Sequence, residues 1–207
     1  IPKTNKRKLT EFHNKLSTLK FLDPACGCGN FLIITYRELR LLELAVLRSI
    51  YKSGEVILSL EDLILLNVDQ FYGIEYEEFP ARIAEVAMWL IDHQMNMQIS
   101  NEFGQYYRRL PLKKSAMIVH GNALRVDWEN VVSKKELSYI LGNPPFIGKS
   151  NQNADQKADL ELVFNGVKGI GVLDYVAAWY LMSAQFIQDS RIKVAFVSTN
   201  SISQGEQ

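Results

Sequence analysis

A short apolar run, residues 19–23, stops at Asp23-Pro24-Ala25-Cys26-Gly27-Cys28-Gly29-Asn30 and gives way at Phe31 to a long amphipathic one. Strand, glycine-bearing turn and helix in that order open a βαβ unit, which leaves few folds available. The helix is read over residues 31–50, where Leu32, Tyr36, Leu39, Leu42 and Val46 recur at helical steps. The pattern then repeats. Residues 71–75 read as a second strand. A helix starts near Pro80, where a missing N–H costs least, and runs to about Met97 with Ile83, Val86, Ala87, Leu90 and Ile91 on one face. Met88, Trp89, Met95 and Met97 read as core filler. Residues 116–120, 139–142 and 193–198 are the third to fifth strands, and residues 172–189 a helix. Residues 51–68 form a connection with room for a short helix, and residues 101–114 a loop. Residues 147–171 are polar with few apolar anchors, as expected of a functional or mobile segment. There is no internal repeat. Alternating strands and helices predict a Rossmann-like α/β fold: a doubly wound, mostly parallel sheet with helices on both faces and ligands beyond the strands' carboxyl ends. With 207 residues, 47% apolar and 22% charged, one packed domain is expected.

Charge narrows the function classes. The 23 basic residues balance 23 acidic ones, whereas a freestanding nucleic-acid binder carries a basic excess. Lys3, Lys6, Arg7 and Lys8, and Arg108, Arg109, Lys113 and Lys114, read as solvated surface. The two cysteines, Cys26 and Cys28, stand too close for an ordinary disulfide and cannot close a zinc site alone, so no metal is expected. Reduced thiols fit a cytoplasmic setting. No secretory segment begins the chain and no apolar run reaches the roughly 18 residues of a membrane span. His13 and His93 show no functional pattern, and His120 reads as structural. The chain starts at Ile1 and stops in mid-pattern at Gln207, which reads as an excised fragment.

Four places carry chemistry. Gly27 and Gly29 let a ligand approach bare backbone at the start of a helix. This spacing is neither the dinucleotide fingerprint nor a phosphate-binding loop. Glu75, at the end of the second strand, can accept both hydroxyls of a ribose. Asn122 follows the third strand, and its amide can accept from an exocyclic amine and donate to a ring nitrogen. The sharpest signal is Asn143-Pro144-Pro145-Phe146 after the fourth strand. An amine on an aromatic ring is a poor nucleophile because its lone pair is delocalised. Acceptors on its two hydrogens, the Asn143 side-chain oxygen and the Pro144 carbonyl, favour a pyramidal nitrogen and free the lone pair for attack on a sulfonium methyl. The prolines stiffen the backbone, and Phe146 offers a stacking face, worth roughly 1–3 kcal/mol.

These strings, Asp-Pro-Ala-Cys-Gly-Cys-Gly-Asn-Phe-Leu, Tyr-Gly-Ile-Glu and Asn-Pro-Pro-Phe, resemble the S-adenosylmethionine-dependent amino-methylating DNA methyltransferases, in the gamma motif order. Val172-Leu173-Asp174-Tyr175-Val176 and Phe196-Val197-Ser198-Thr199-Asn200-Ser201 resemble the modification part of MmeI-like (type IIG/IIL) restriction–modification enzymes. The resemblance implies N6-adenine methylation in double-stranded DNA. Asp23, Ala25, Cys26 and Gly27 would line the methionine end of the cofactor, with Pro24, Gly29, Asn30 and Phe31 completing the loop. Glu75 would hold the ribose, with Tyr76 beside the adenine. Asn122 and Ala123 would meet the cofactor adenine. Asn143, Pro144, Pro145 and Phe146 would receive a target adenine flipped out of the duplex, at a cost of a few kcal/mol, and residues after Phe146 would order around it as a flap. The resemblance also places a cofactor-closing segment upstream of Ile1, a recognition domain downstream of Gln207, and room for a nuclease domain in the parent chain. Asp159-Leu160-Glu161 reads as a solvated helix face rather than nuclease machinery. Many relatives have Asp where Asn122 stands and Ser where Cys28 stands.

Other readings stay open on the residues alone. Methylation of a protein glutamine amide or an RNA base uses a similar Asn-Pro-Pro pocket. Cytosine N4 offers the same kind of amine as adenine N6. A non-catalytic cofactor-binding module would carry the same glycine loop.

Overall fold

The protein is described by a computed structural model over residues 3–51, 60–107 and 115–200. Five short strands, rich in β-branched and aromatic residues, form one sheet. They are β1 (Phe21–Asp23), β2 (Phe71–Glu75), β3 (Met117–His120), β4 (Tyr139–Gly142) and β5 (Lys193–Phe196). The order is β3-β2-β1-β4-β5 and every pairing is parallel. The chain winds outward from β1 in one direction, then returns to lay β4 on its other side. The expected doubly wound fold is therefore present.

Alternation along each strand feeds two cores. On one face Phe21, Phe71 and Tyr139 lie in register, their rings stacked with centroids 4.9 and 5.3 Å apart. Helices α2 (Asn30–Ile50) and α3 (Glu78–Phe103) cover them with Leu32, Tyr36, Ala84 and Met88. On the other face Leu22, Ile74 and Ile140 meet Trp128, Leu160, Tyr175 and Trp179. These come from a turn after β3, from helix α4 (Ala154–Phe164), and from helix α5 (Ala177–Phe186) and the turn that leads into it. Burial of each large side chain contributes roughly 1.5–3 kcal/mol.

Several expectations are corrected. On α3 the buried face is Ala81, Ala84, Met88, Ile91, Met95 and Ile99, while Ile83, Val86 and Leu90 are exposed. Met88 and Met95 are core, but Trp89 and Met97 are not. The segment after Phe146 has more structure than its polar composition suggests. It contains α4, opened by reciprocal hydrogen bonds between Asn153 and Gln156. Gln152 ties it down by donating to the carbonyls of Ile147 and Leu173. Residues 172–189 hold the shorter α5, because Asp174 caps Val176 N–H just before it. A helix not foreseen in the sequence, α1 (Lys3–Leu16), precedes β1. The cluster Arg108, Arg109, Lys113 and Lys114 lies outside the described residues, as does much of the connection 51–68.

His13 does have a place. Its Nε2 lies 2.9 Å from Glu43 Oε1, and the Glu43 carboxylate also accepts from the backbone of Leu65 and Leu66. Arg40, fully buried, pairs with Glu43 and Asp92 and donates to Tyr36 and Asn96. The buried polar groups of α1, α2 and α3 thus largely answer one another, with Arg40 Nε and Glu43 Oε2 3.4 Å apart as an ion pair without a hydrogen bond.

Candidate active site

Because all five strands are parallel, the residues that end β1, β2, β3 and β4 emerge on the same edge. The chain's direction of winding reverses between β1 and β4, and a cleft of about 620 Å³ opens there, a size usual for small-molecule sites.

The turn after β1 forms the floor. Asp23 Oδ1 accepts from Ala25 N–H at 3.0 Å, and Cys26 N–H donates to Ile74 O across to β2. Gly27 has φ +54° and an ideal Cβ there would meet nothing within 4 Å, so its backbone lies bare beside the cleft. The Glu75 carboxylate accepts from Gly27 N–H at 2.8 Å and from Glu77 N–H at 2.9 Å, which aims it at the mouth of the turn. Carboxylate lone pairs remain for a ligand. Cys26 is buried, and that burial pushes its thiol well above the usual range. It is a small packing residue, not a nucleophile.

Asn122 forms an Asx turn after β3, its Oδ1 accepting from Leu124 N–H at 2.9 Å. Asn143 leaves the end of β4 exposed, and among the described residues no hydrogen bond claims its side-chain amide. The peptide bonds of Pro144 and Pro145 are trans. Gly142, with φ +156°, lets β4 end against Asp23: a Cβ there would fall 2.4 Å from Asp23 Oδ1.

Of the residues singled out in the sequence, Pro24, Ala25, Gly27, Glu75, Tyr76, Asn122, Ala123, Asn143 and Pro145 line this one cleft. Asp23, Cys26, Gly29 and Pro144 are buried behind its wall, and Asn30, Phe31 and Phe146 are exposed beside it without lining it. Burial raises the Asp23 carboxyl to about 7, against the pull of the Ala25 hydrogen bond and with help from nearby Glu75. Among the described residues no group of three or more His, Cys, Asp or Glu is placed to hold a metal ion.

Sequence reasoning missed the far wall. Arg125, Ile147, Gln156, Asp159, Tyr175 and Trp179 also line the cleft. Asp159 is not solvated: it is 2% exposed and accepts from Asn122 Nδ2, Arg125 Nε and Tyr175 OH. Trp179 Nε1 donates to Pro24 O at 3.0 Å, which joins α5 to the floor. The Asn-x-x-Gln capping signature at Asn153 was a legible signal for α4, and it puts Asp155 and Asp159 one turn apart on the same side.

Fold and cleft define a doubly wound α/β domain with a cleft of small-molecule size at its switch point. The MmeI DNA-methyltransferase domain matches residues 2–207, and the chain belongs to that family. DNA methyltransferase A of Bacillus subtilis (strain 168) is 41% identical over 204 residues, 97% of this chain and 23% of that protein. The solved structure of the type IIL restriction-modification enzyme MmeI in complex with DNA shares 60% identity and a TM-score of 0.94, over 98% of this chain and 27% of that one. The fold alone is shared with the ATP-dependent type ISP enzyme LlaBIII bound to DNA, at 19% identity and a TM-score of 0.56 over 90% of this chain. The chain thus spans about a quarter of the first two relatives.

Proposed function

We propose that this domain transfers a methyl group from S-adenosylmethionine to the N6 amine of an adenine in double-stranded DNA, as the modification part of a restriction–modification enzyme. One observation carries the reading: the bare backbone at Gly27 and the unclaimed amide of Asn143 face a single cleft. The relatives support the DNA substrate. The cofactor suits the residues present, because an open glycine turn, an acidic strand end and an amide are spaced along one wall.

Bound there, the cofactor supplies an electrophilic methyl group. Ala25 and Gly27 would line its methionine end, with Asp23 and Cys26 behind them, Glu75 would accept from the ribose hydroxyls, and Tyr76, Asn122 and Ala123 would surround its adenine. Asn143 Oδ1 and the Pro144 carbonyl accept the two hydrogens of the target amine and direct its lone pair into the cleft. Pro145 and Phe146 give the flipped base an apolar rest. Nothing in this scheme calls for a basic side chain, since the amine becomes acidic as its bond to carbon forms and its proton can leave to water.

Asn143→Ala in the full-length protein tests this. Removing one preorganised acceptor is expected to lower kcat by about a hundredfold or more with cofactor binding retained. Unchanged methylation would overturn the catalytic assignment. Labelled methyl groups appearing in cytosine, RNA or protein, but not in DNA adenine, would overturn the substrate.

A further inference from the structure

Asn122 is held at both ends. Its Nδ2 donates to Asp159 Oδ2 at 2.9 Å, and its Oδ1 accepts from Leu124 N–H at 2.9 Å. An unrestrained asparagine amide turns over at little cost, so it can present either sequence of acceptor and donor to a ring edge. Here the turn is forbidden twice. It would set Oδ1 against the Asp159 carboxylate and set the Nδ2 hydrogens against the Leu124 N–H. Both hydrogen bonds would become repulsions in a part-buried site.

Asp159 is itself fixed as an acceptor. Tyr175 OH donates to Oδ2 at 2.7 Å and Arg125 Nε to Oδ1 at 2.7 Å. Burial works to raise this carboxyl, but the hydrogen bonds from Tyr175, Asn122 and Arg125 outweigh it and hold the group below the ordinary carboxylate range. It therefore stays ionised and cannot donate. The locked amide keeps one free lone pair on Oδ1 and one free hydrogen on Nδ2. That acceptor–donor order complements the edge of a 6-aminopurine, which offers an amine beside a bare ring nitrogen. It opposes a 6-oxopurine, which offers a carbonyl beside a ring N–H.

We propose that Asp159 is a positioning residue which, by locking the Asn122 amide, makes the cofactor site selective for a 6-aminopurine nucleoside over its 6-oxopurine counterpart. The inference rests on the reading that this cleft takes an adenosyl cofactor. It adds how the adenine is told from a deaminated one, and it assigns a task to a carboxylate on α4 that acts through Asn122.

Calorimetric titration of the full-length protein with S-adenosylhomocysteine and with S-inosylhomocysteine tests it. The wild type is expected to bind the adenosyl compound about tenfold or more tightly. Asp159→Asn offers Asn122 either a donor or an acceptor, so both amide orientations become available. The preference is expected to fall to about threefold or less, whatever happens to absolute affinity. A variant that weakens both ligands equally would show that Asp159 only holds α4 in place, and would overturn the proposal. If Asp159→Asn does not fold, Asn122→Ala decides, because it keeps the bonds of Asp159 to Tyr175 and Arg125. A preference that survives Asn122→Ala overturns the proposal, and its loss supports it. A wild type that binds both compounds equally refutes selectivity alone, whereas a wild type that binds neither refutes the cofactor reading beneath it.

Discussion

Asp23 sits between the glycine turn and the end of β4, with one oxygen on Ala25 N–H and the other, buried, without a hydrogen-bond partner. A carboxyl raised by folding from 3.8 to about 7 contributes stability fully below its unfolded value. That contribution is lost as pH rises through the folded value. Asp23→Asn imitates the protonated form. Its thermal midpoint is expected to match wild type below about pH 4 and to exceed it increasingly towards about pH 8. An offset that does not change with pH would count against the buried proton. Gly142 belongs to the same contact. Gly142→Ala places a methyl on the Asp23 carboxylate, and a loss of about 1–3 kcal/mol in urea unfolding is expected. A neutral effect would mean that Asp23 moves freely.

At the scale of elements, β2 and β4 were legible to the residue, because turn residues bound their apolar runs on both sides. The glycine turn was legible for a similar reason: only a strand stop followed by bare backbone explains that composition. The buried face of α3 was not. Its inner side carries Asp92 and Asn96, which answer Arg40 on α2, and hydrophobic periodicity cannot see a polar residue whose partner lies on another helix. Helix α4 showed in the sequence only as a helix face at Asp159-Leu160-Glu161, without bounds, because only Leu160 and Asp159 of its residues are buried and it has almost no apolar stripe. Its stability leans on its cap and on the ties of Asp159. Asn153→Ala is expected to cost about 0.5–2 kcal/mol and to speed amide exchange within α4 more than within α2. Equal protection in both helices would show that the cap is dispensable. In the candidate site, motif residues of the near wall could be picked out one by one, whereas the far wall depends on tertiary contacts that bring α4 and α5 back over β1.

At the scale of the whole molecule, the buried charges of Arg40, Glu43 and Asp92, between α2 and α3, act as one unit. Removing one member leaves the others desolvated and unpaired, so Arg40→Ala is expected to destabilise the domain by about 3–5 kcal/mol, read as a shift of the urea midpoint. A loss under about 1 kcal/mol would show that water reaches the network. The order β3-β2-β1-β4-β5 has a temporal consequence as well. During synthesis the three strands that carry the glycine turn, Glu75 and Asn122 can pair first, through comparatively near contacts. Tyr139–Gly142 must then travel back to the flank of β1, a slower, long-range closure. The Gly27, Glu75 and Asn122 side of the cleft is therefore expected to assemble before the Asn143 side closes it.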